Sequence, residues 1–130
     1  MVLKNATEIW TKTVAMTVDY LERAIPAVEI LAGEFYRGAV PETWDRFGDL
    51  LNGLQWLLKI TEFRPTDGVD AFQNFLLRIK PKISGLEEAL KNSDQILLAD
   101  LLCYDILPLL KTLEFDLKNS YPRYEAGYVF

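Results

Sequence analysis

A chain of 130 residues, half of them apolar, is the size of one domain and can bury a single core without metal or disulfide support. A net charge of −5 opposes binding to the phosphates of nucleic acid, and one cysteine, Cys103, excludes an intramolecular disulfide. The absence of histidine removes Ser-His and Cys-His nucleophile pairs, the usual zinc sites, and the Glu-x-x-His di-iron sites of helical bundles.

In chain order, the N-terminal stretch has no continuous apolar run, because Thr7, Glu8, Thr11, Lys12 and Thr13 interrupt it; no signal peptide is expected. A first helix is predicted over about 6–37. Its apolar stripe is Val14, Val18, Leu21, Ile25, Val28, Ala32 and Phe35, extended backwards by Trp10, and Gly38 supplies the left-handed residue that ends it. Pro41 suits the first turn of a second helix, 41–63, with Trp44, Phe47, Leu51, Leu54 and Leu58 on one face; it stops before Arg64-Pro65. The third helix, 67–91, is capped by Thr66 or Asp67. It carries Val69, Phe72, Leu76, Ile79, Ile83, Leu86 and Leu90. Asn92-Ser93-Asp94 is a tight connection with an N-cap for a fourth helix, 94–118. That helix is apolar nearly all round, which predicts that it is the most enclosed. Asp100, Asp105, Lys111, Glu114 and Asp116 give it too many charges for membrane insertion.

Short links force sequential helices to run antiparallel, so the expected fold is all-α: an up-down-up-down four-helix bundle with Pro-kinked helices over residues 1–118. The remaining segment, 119–130, is an aromatic C-terminal tail. The first and third stripes match at an offset of 54 or 55 residues, and Pro26 maps onto Pro81. Asp49-Leu50-Leu51 matches Asp100-Leu101-Leu102 at an offset of 51, and Leu57 to Phe63 matches Leu109 to Phe115 at 52, so the fourth helix holds one inserted residue. Duplication of a helical hairpin explains this; chance likeness of two leucine-rich helices is the alternative.

Pro26, Pro81 and Pro108 deprive the carbonyls of Glu22, Leu77 and Tyr104 of their usual donors, at about 3 kcal/mol each. Such kinks either curve the helices around the core or open a mid-bundle pocket near Pro26, Pro81 and Trp56. Asp100 and Asp105 on the apolar helix either lie at its edge and pair with Lys or Arg, or bind a cationic ligand group. Cys103 is expected to be a buried, inert thiol. Trp56 falls off the second stripe, as a residue on a partner-facing surface would.

Asp67-Gly68-Val69-Asp70 lacks the ligands of a calcium loop, and the glycines form no phosphate-cradling cluster. No enzymatic activity and no cofactor are therefore expected. Acid-first pairs at i and i+4, among them Asp19 with Arg23 and Glu114 with Lys118, support the helices. The tail carries Tyr121, Tyr124, Tyr128 and Phe130, too aromatic for a disordered segment; it docks on its own bundle, on a second copy or on another protein.

Gly48-Asp49-Leu50-Leu51-Asn52-Gly53-Leu54-Gln55-Trp56-Leu57 and Leu98-Ala99-Asp100-Leu101-Leu102-Cys103-Tyr104-Asp105-Ile106-Leu107-Pro108-Leu109-Leu110 resemble segments of a family of small uncharacterised helical proteins from Gram-positive bacteria. The resemblance implies a helical fold and a bacterial, cytoplasmic setting, and brings no activity with it. The functional expectation is a non-enzymatic interaction module, adaptor or chaperone-like, that binds another protein or a second copy. The alternative is a bundle that binds a small ligand in a mid-bundle apolar pocket.

Overall fold

The computed structural model describes residues 2–62 and 70–120, with side chains over 11–60 and 71–119. Helix α1 spans Val2–Arg37, α2 spans Pro41–Glu62 and α3 spans Asp70–Lys91. The fourth helix is continuous but changes pitch: α4 (Gln95–Leu101), a π turn (Leu102–Ile106) and α5 (Leu107–Ser120). There is no strand among the described residues. The expected caps Thr66 and Asp67 lie outside them, as does Val69.

Local chemistry sets the helix ends. Gly38 takes φ 107° after α1. Pro41 occupies the first turn of α2, where Thr43 accepts a hydrogen bond from the Val40 N–H at 3.2 Å, the backward half of a capping box. After α3, Ser93 adopts φ 54°; its N–H donates to the Leu90 carbonyl and that of Asp94 to the Ala89 carbonyl, a Schellman motif built on serine. Asp94 then caps α4 by accepting from the Leu97 N–H at 3.0 Å.

The helices form the expected up-down-up-down bundle. Tyr36 bonded to Asp100 and Glu22 to Lys118 run α1 antiparallel to the fourth helix, whereas Glu34 to Arg46 and Tyr20 against Trp56 do the same for α1 and α2. Lys82 to Asp105 pairs α3 with the fourth helix. The fourth helix thus sits between α1 and α3, its two principal neighbours, and the seam between α2 and α3 is the thinnest. Every described member of the α1 stripe is buried, with Phe35, Phe47 and Phe72 the largest enclosed side chains. Phe35, Trp44 and Phe47 meet edge to face at 5.1–6.5 Å. Among the described residues no buried side-chain nitrogen or oxygen lacks a partner; buried Thr17, for example, donates to the Thr13 carbonyl.

Two stripes are rotated from their expected faces. In α2 the buried set is Phe47, Leu50, Leu54 and Leu57, while Trp44, Leu51 and Leu58 are half-buried. The cause is unequal company: α2 packs more closely on α1 than on α3, and its buried set is turned accordingly. In α3, Phe75 and Ala89 are buried, Leu76 is half-buried and Leu90 is exposed, a turn of the face toward the fourth helix for the same reason.

The prolines sit on the solvent-facing sides of their helices and not toward the core. Pro26, Pro81 and Pro108 are all exposed, and the carbonyls they free belong to Glu22, Leu77 and Tyr104, exposed residues whose backbone water can reach. A bond missing on the solvent side lets a helix bend around its core at little cost.

Candidate functional site

The fourth helix is where sequence and fold disagree most. Its inward stripe, Leu98, Leu102, Ile106, Leu110, Leu113 and Leu117, is fully enclosed. Its flanks are pinned: the Tyr36 hydroxyl donates to Asp100 on the α1 side, and Lys82 lies 3.7 Å from Asp105 on the α3 side. Lys118 reaches Glu22 of α1 at 3.3 Å. Asp100 and Asp105 are thus edge carboxylates with partners, and neither is buried. The Tyr36–Asp100 bond, followed by partial desolvation, pushes the Tyr36 phenol up to about 12.

Outward, the helix is apolar and uncovered. Tyr104 is 70% exposed and Phe115 67%, with Ile96, Leu97 and Pro108 exposed beside them. The helix expected to be the most enclosed is therefore enclosed on one side, because α1 and α3 are its close neighbours among the described residues. Exposed apolar residues elsewhere, such as Met16, Ile30 and Leu77, are scattered over other helices, as on any protein surface.

The π turn sits in the middle of this face. The Leu107 N–H donates to Leu102, five residues back, directly before Pro108, which has no N–H to continue the ladder. One extra residue in a helix is what a π turn accommodates, and it lies between Leu102 and Leu109, where the match with α2 shifts from 51 to 52. Cys103 is in this turn and half-buried, less enclosed than an inert core thiol would be.

Two of the clefts among the described residues lie beside the core. One, of about 260 Å³, lies between α1 and α2: Ala24, Ala27, Leu31 and Leu50 form an apolar floor, with Tyr20, Arg23, Arg46 and Asp49 around it. Arg46 is held by Glu34, whose carboxyl is pulled below its usual range by that hydrogen bond and then by one from Thr43. Burial pushes the Tyr20 phenol up, against the opposing charge of Arg23. The other cleft, of about 170 Å³, lies between α3 and α5 beside Asn74, Arg78, Thr112 and Asp116. No group of three or more metal-ligating side chains occurs among the described residues. No helix among them is long and apolar enough to cross a membrane.

Residues 12–114 match a domain of unknown function, DUF8042. The chain belongs to the DUF8042 family. No curated protein and no solved structure matches it. The DUF8042 match takes in all four helices, including Leu97, Tyr104 and the π turn, and stops one residue before Phe115.

Within this DUF8042 bundle the residues singled out from sequence do not converge. Trp56 is half-buried in the α1–α2 seam, its ring 5.9 Å from Tyr20 and edge-on to it, so it does not stand free on the surface. Its position off the expected stripe reflects the rotation of α2 toward α1. Pro26, Pro81 and Pro108 line none of the clefts above, and Asp105 holds Lys82. Tyr121, Tyr124, Tyr128 and Phe130 lie outside the described residues. The residues that sequence reasoning missed are Leu97, Tyr104 and Phe115. Their signal was present: an apolar residue on every side of one helix.

Proposed function

We propose that the protein is a non-enzymatic interaction module, an adaptor-like helical bundle that docks through the outward face of its fourth helix. The observation behind this reading is the exposure of Leu97, Tyr104 and Phe115 on a helix whose inward side is fully enclosed. Apolar side chains gathered on one helix face are what helix-groove and helix-helix recognition uses, and aromatic residues are preferred anchors of such contacts. The bacterial, cytoplasmic setting belongs to the same proposal and rests on the resemblance to proteins of Gram-positive bacteria.

The test is affinity capture with identification by mass spectrometry, comparing the natural chain with Tyr104→Glu and Phe115→Glu. Both positions face solvent, so each variant is expected to unfold within about 0.5 kcal/mol of the parent. Loss of the captured species at unchanged stability supports the reading; capture unaffected by either variant sinks this face as the docking surface.

A second reading, small-ligand binding, draws on the α1–α2 cleft and its apolar floor between two arginines. Ala27→Trp fills that cleft. A ligand-induced rise in melting temperature that disappears in this variant would favour it.

A further inference from the structure

We propose that the cleft between α1 and α2 is a binding site for a small amphiphilic cation, an aromatic ring carrying a protonated primary amine, with Asp49 as its counter-charge. The inference rests on the reading of this cleft as a ligand site and commits it to one chemical class.

Shape sets the size of the ligand and the place of its apolar part. At about 260 Å³ the cleft lies just under the roughly 300–1,000 Å³ of sites that hold drug-sized molecules, so it suits about ten non-hydrogen atoms. Ala24, Leu31 and Leu50 are buried and form the floor together with Ala27. One end is bounded by Tyr20, which reaches from α1 across to Gly53 of α2 and meets Trp56 edge to face. Asp49 is four residues before Gly53, about 6 Å along α2 at 1.5 Å per residue. A ring on the Ala24 floor beside Tyr20 therefore brings an amine on a short spacer to the Asp49 carboxylate.

Charge decides the class. Both arginines at the rim already have partners: Arg46 is hydrogen-bonded to Glu34, and Arg23 lies 3.3 Å from Asp19. Asp49 is the charge left over, an exposed carboxylate with no ion pair among the described residues. An anion entering the cleft must displace a carboxylate from its arginine and meets Asp49 besides, whereas a cation finds Asp49 without breaking either pair. The surroundings act in the same sense. Residues 19–50, which supply both walls, hold seven carboxylates against three arginines, an excess that accounts for nearly all of the chain's net charge of −5. The field over the cleft is negative and raises the local concentration of cations.

Titration of the full chain, followed by its amide shifts in NMR, tests this with three probes of one shape: phenethylamine, a cation; phenylethanol, neutral; and hydrocinnamate, an anion. Phenethylamine is expected to saturate at about 0.1–1 mM, the range open to so small a ligand, with the largest shifts at Ala24, Ala27 and Leu50. Phenylethanol is expected to bind about tenfold more weakly, and hydrocinnamate more weakly still. Asp49→Asn, at an exposed position, should leave the melting temperature unchanged, weaken phenethylamine about tenfold and leave phenylethanol as it was. Ala27→Trp should abolish binding of all three. Phenethylamine that fails to saturate below about 10 mM, binding indifferent to Asp49→Asn, or hydrocinnamate held as tightly as the amine each overturns the proposal. The ligand reading fails separately. Phenylethanol or hydrocinnamate that shifts Ala24 and Ala27 with no preference for the cation removes the amine and leaves the cleft as a ligand site, whereas three probes that shift nothing there remove both.

Discussion

Helix α2 and the fourth helix share a run of residues and a place in their hairpins, and differ in what they show to solvent. The exposed positions of α2 are Pro41, Glu42, Asp45, Arg46, Asp49, Asn52, Gln55 and Lys59. Those of the fourth helix include Ile96, Leu97, Tyr104, Pro108 and Phe115. Inward, both present leucines. The contrast separates what a helix needs in order to join a bundle, one apolar stripe, from what it carries beyond that need, and of these two helices the fourth carries the surplus. The backbone differs at the corresponding place: α2 narrows at Gly53, where Tyr20 of α1 crosses it, whereas the fourth helix widens at 102–106 to hold an extra residue.

The strongest way to break this comparison is to change the residue count of each helix. Deleting Asn52 from α2 turns Leu54 and Leu57 about 100° away from the core. A loss of about 4 kcal/mol or more is expected by urea denaturation, since two enclosed leucines are displaced. Deleting Cys103 closes the π turn to an ordinary helical turn and keeps Leu110, Leu113 and Leu117 facing inward. That variant is expected to stay folded and to lose under about 2 kcal/mol, mostly in repacking. Equal damage from the two deletions would mean that the π turn is not where the extra residue is absorbed.

The glycines of α2 give a smaller, two-signed effect. A Cβ at Gly53 would lie 2.0 Å from the Tyr20 hydroxyl, so Gly53→Ala must displace that half-buried ring, at about 1–3 kcal/mol. A Cβ at Gly48 meets nothing within 4 Å, and Gly48→Ala is expected to stabilise the helix by about 0.5–1 kcal/mol. Thermal melts of the two variants should move in opposite directions.

The smallest effect expected is at the edge of the fourth helix and depends on pH. The Tyr36 phenol is raised from 10.0 to about 12, chiefly by its bond to Asp100. A group whose pKa is raised on folding binds its proton more tightly in the folded state. Its contribution is therefore complete below the unfolded value near 10.0 and is lost as pH climbs through about 12. Absorbance titration near 295 nm should show Tyr36 among the late-ionising tyrosines, and Asp100→Asn should bring that one back toward the ordinary range while Tyr20, raised by burial, stays late. An unchanged number of late tyrosines in Asp100→Asn would locate the cause elsewhere.

The candidate surface was only half legible in the sequence. Trp56 stood out because it broke the α2 stripe, but helix rotation explains it. Leu97, Tyr104 and Phe115 were hidden because they continued the apolar pattern of their helix, and that pattern implies enclosure. Amphipathic spacing points a helix toward its core only when the opposite side is polar; a helix apolar all round points nowhere. If the two hairpins are copies, the change of offset marks one extra residue, yet nothing in the sequence says whether such a residue becomes a π turn, a loop or a shifted register.

The features that follow from sequence alone are local: four helices, their ends at Gly38, Pro41 and Asp94, and the buried stripe of α1. Periodicity and capping are settled by residues within a turn or two of one another, so they can be read without knowing the neighbours. Tertiary packing was needed to decide that α2 turns toward α1, that the three prolines face water, that the extra residue is absorbed between Leu102 and Ile106, and that Tyr104 and Phe115 stay uncovered. Those outcomes depend on how many helices reach each face. In a four-helix bundle every helix has two close neighbours, so one side of the fourth helix is left over whatever its side chains are.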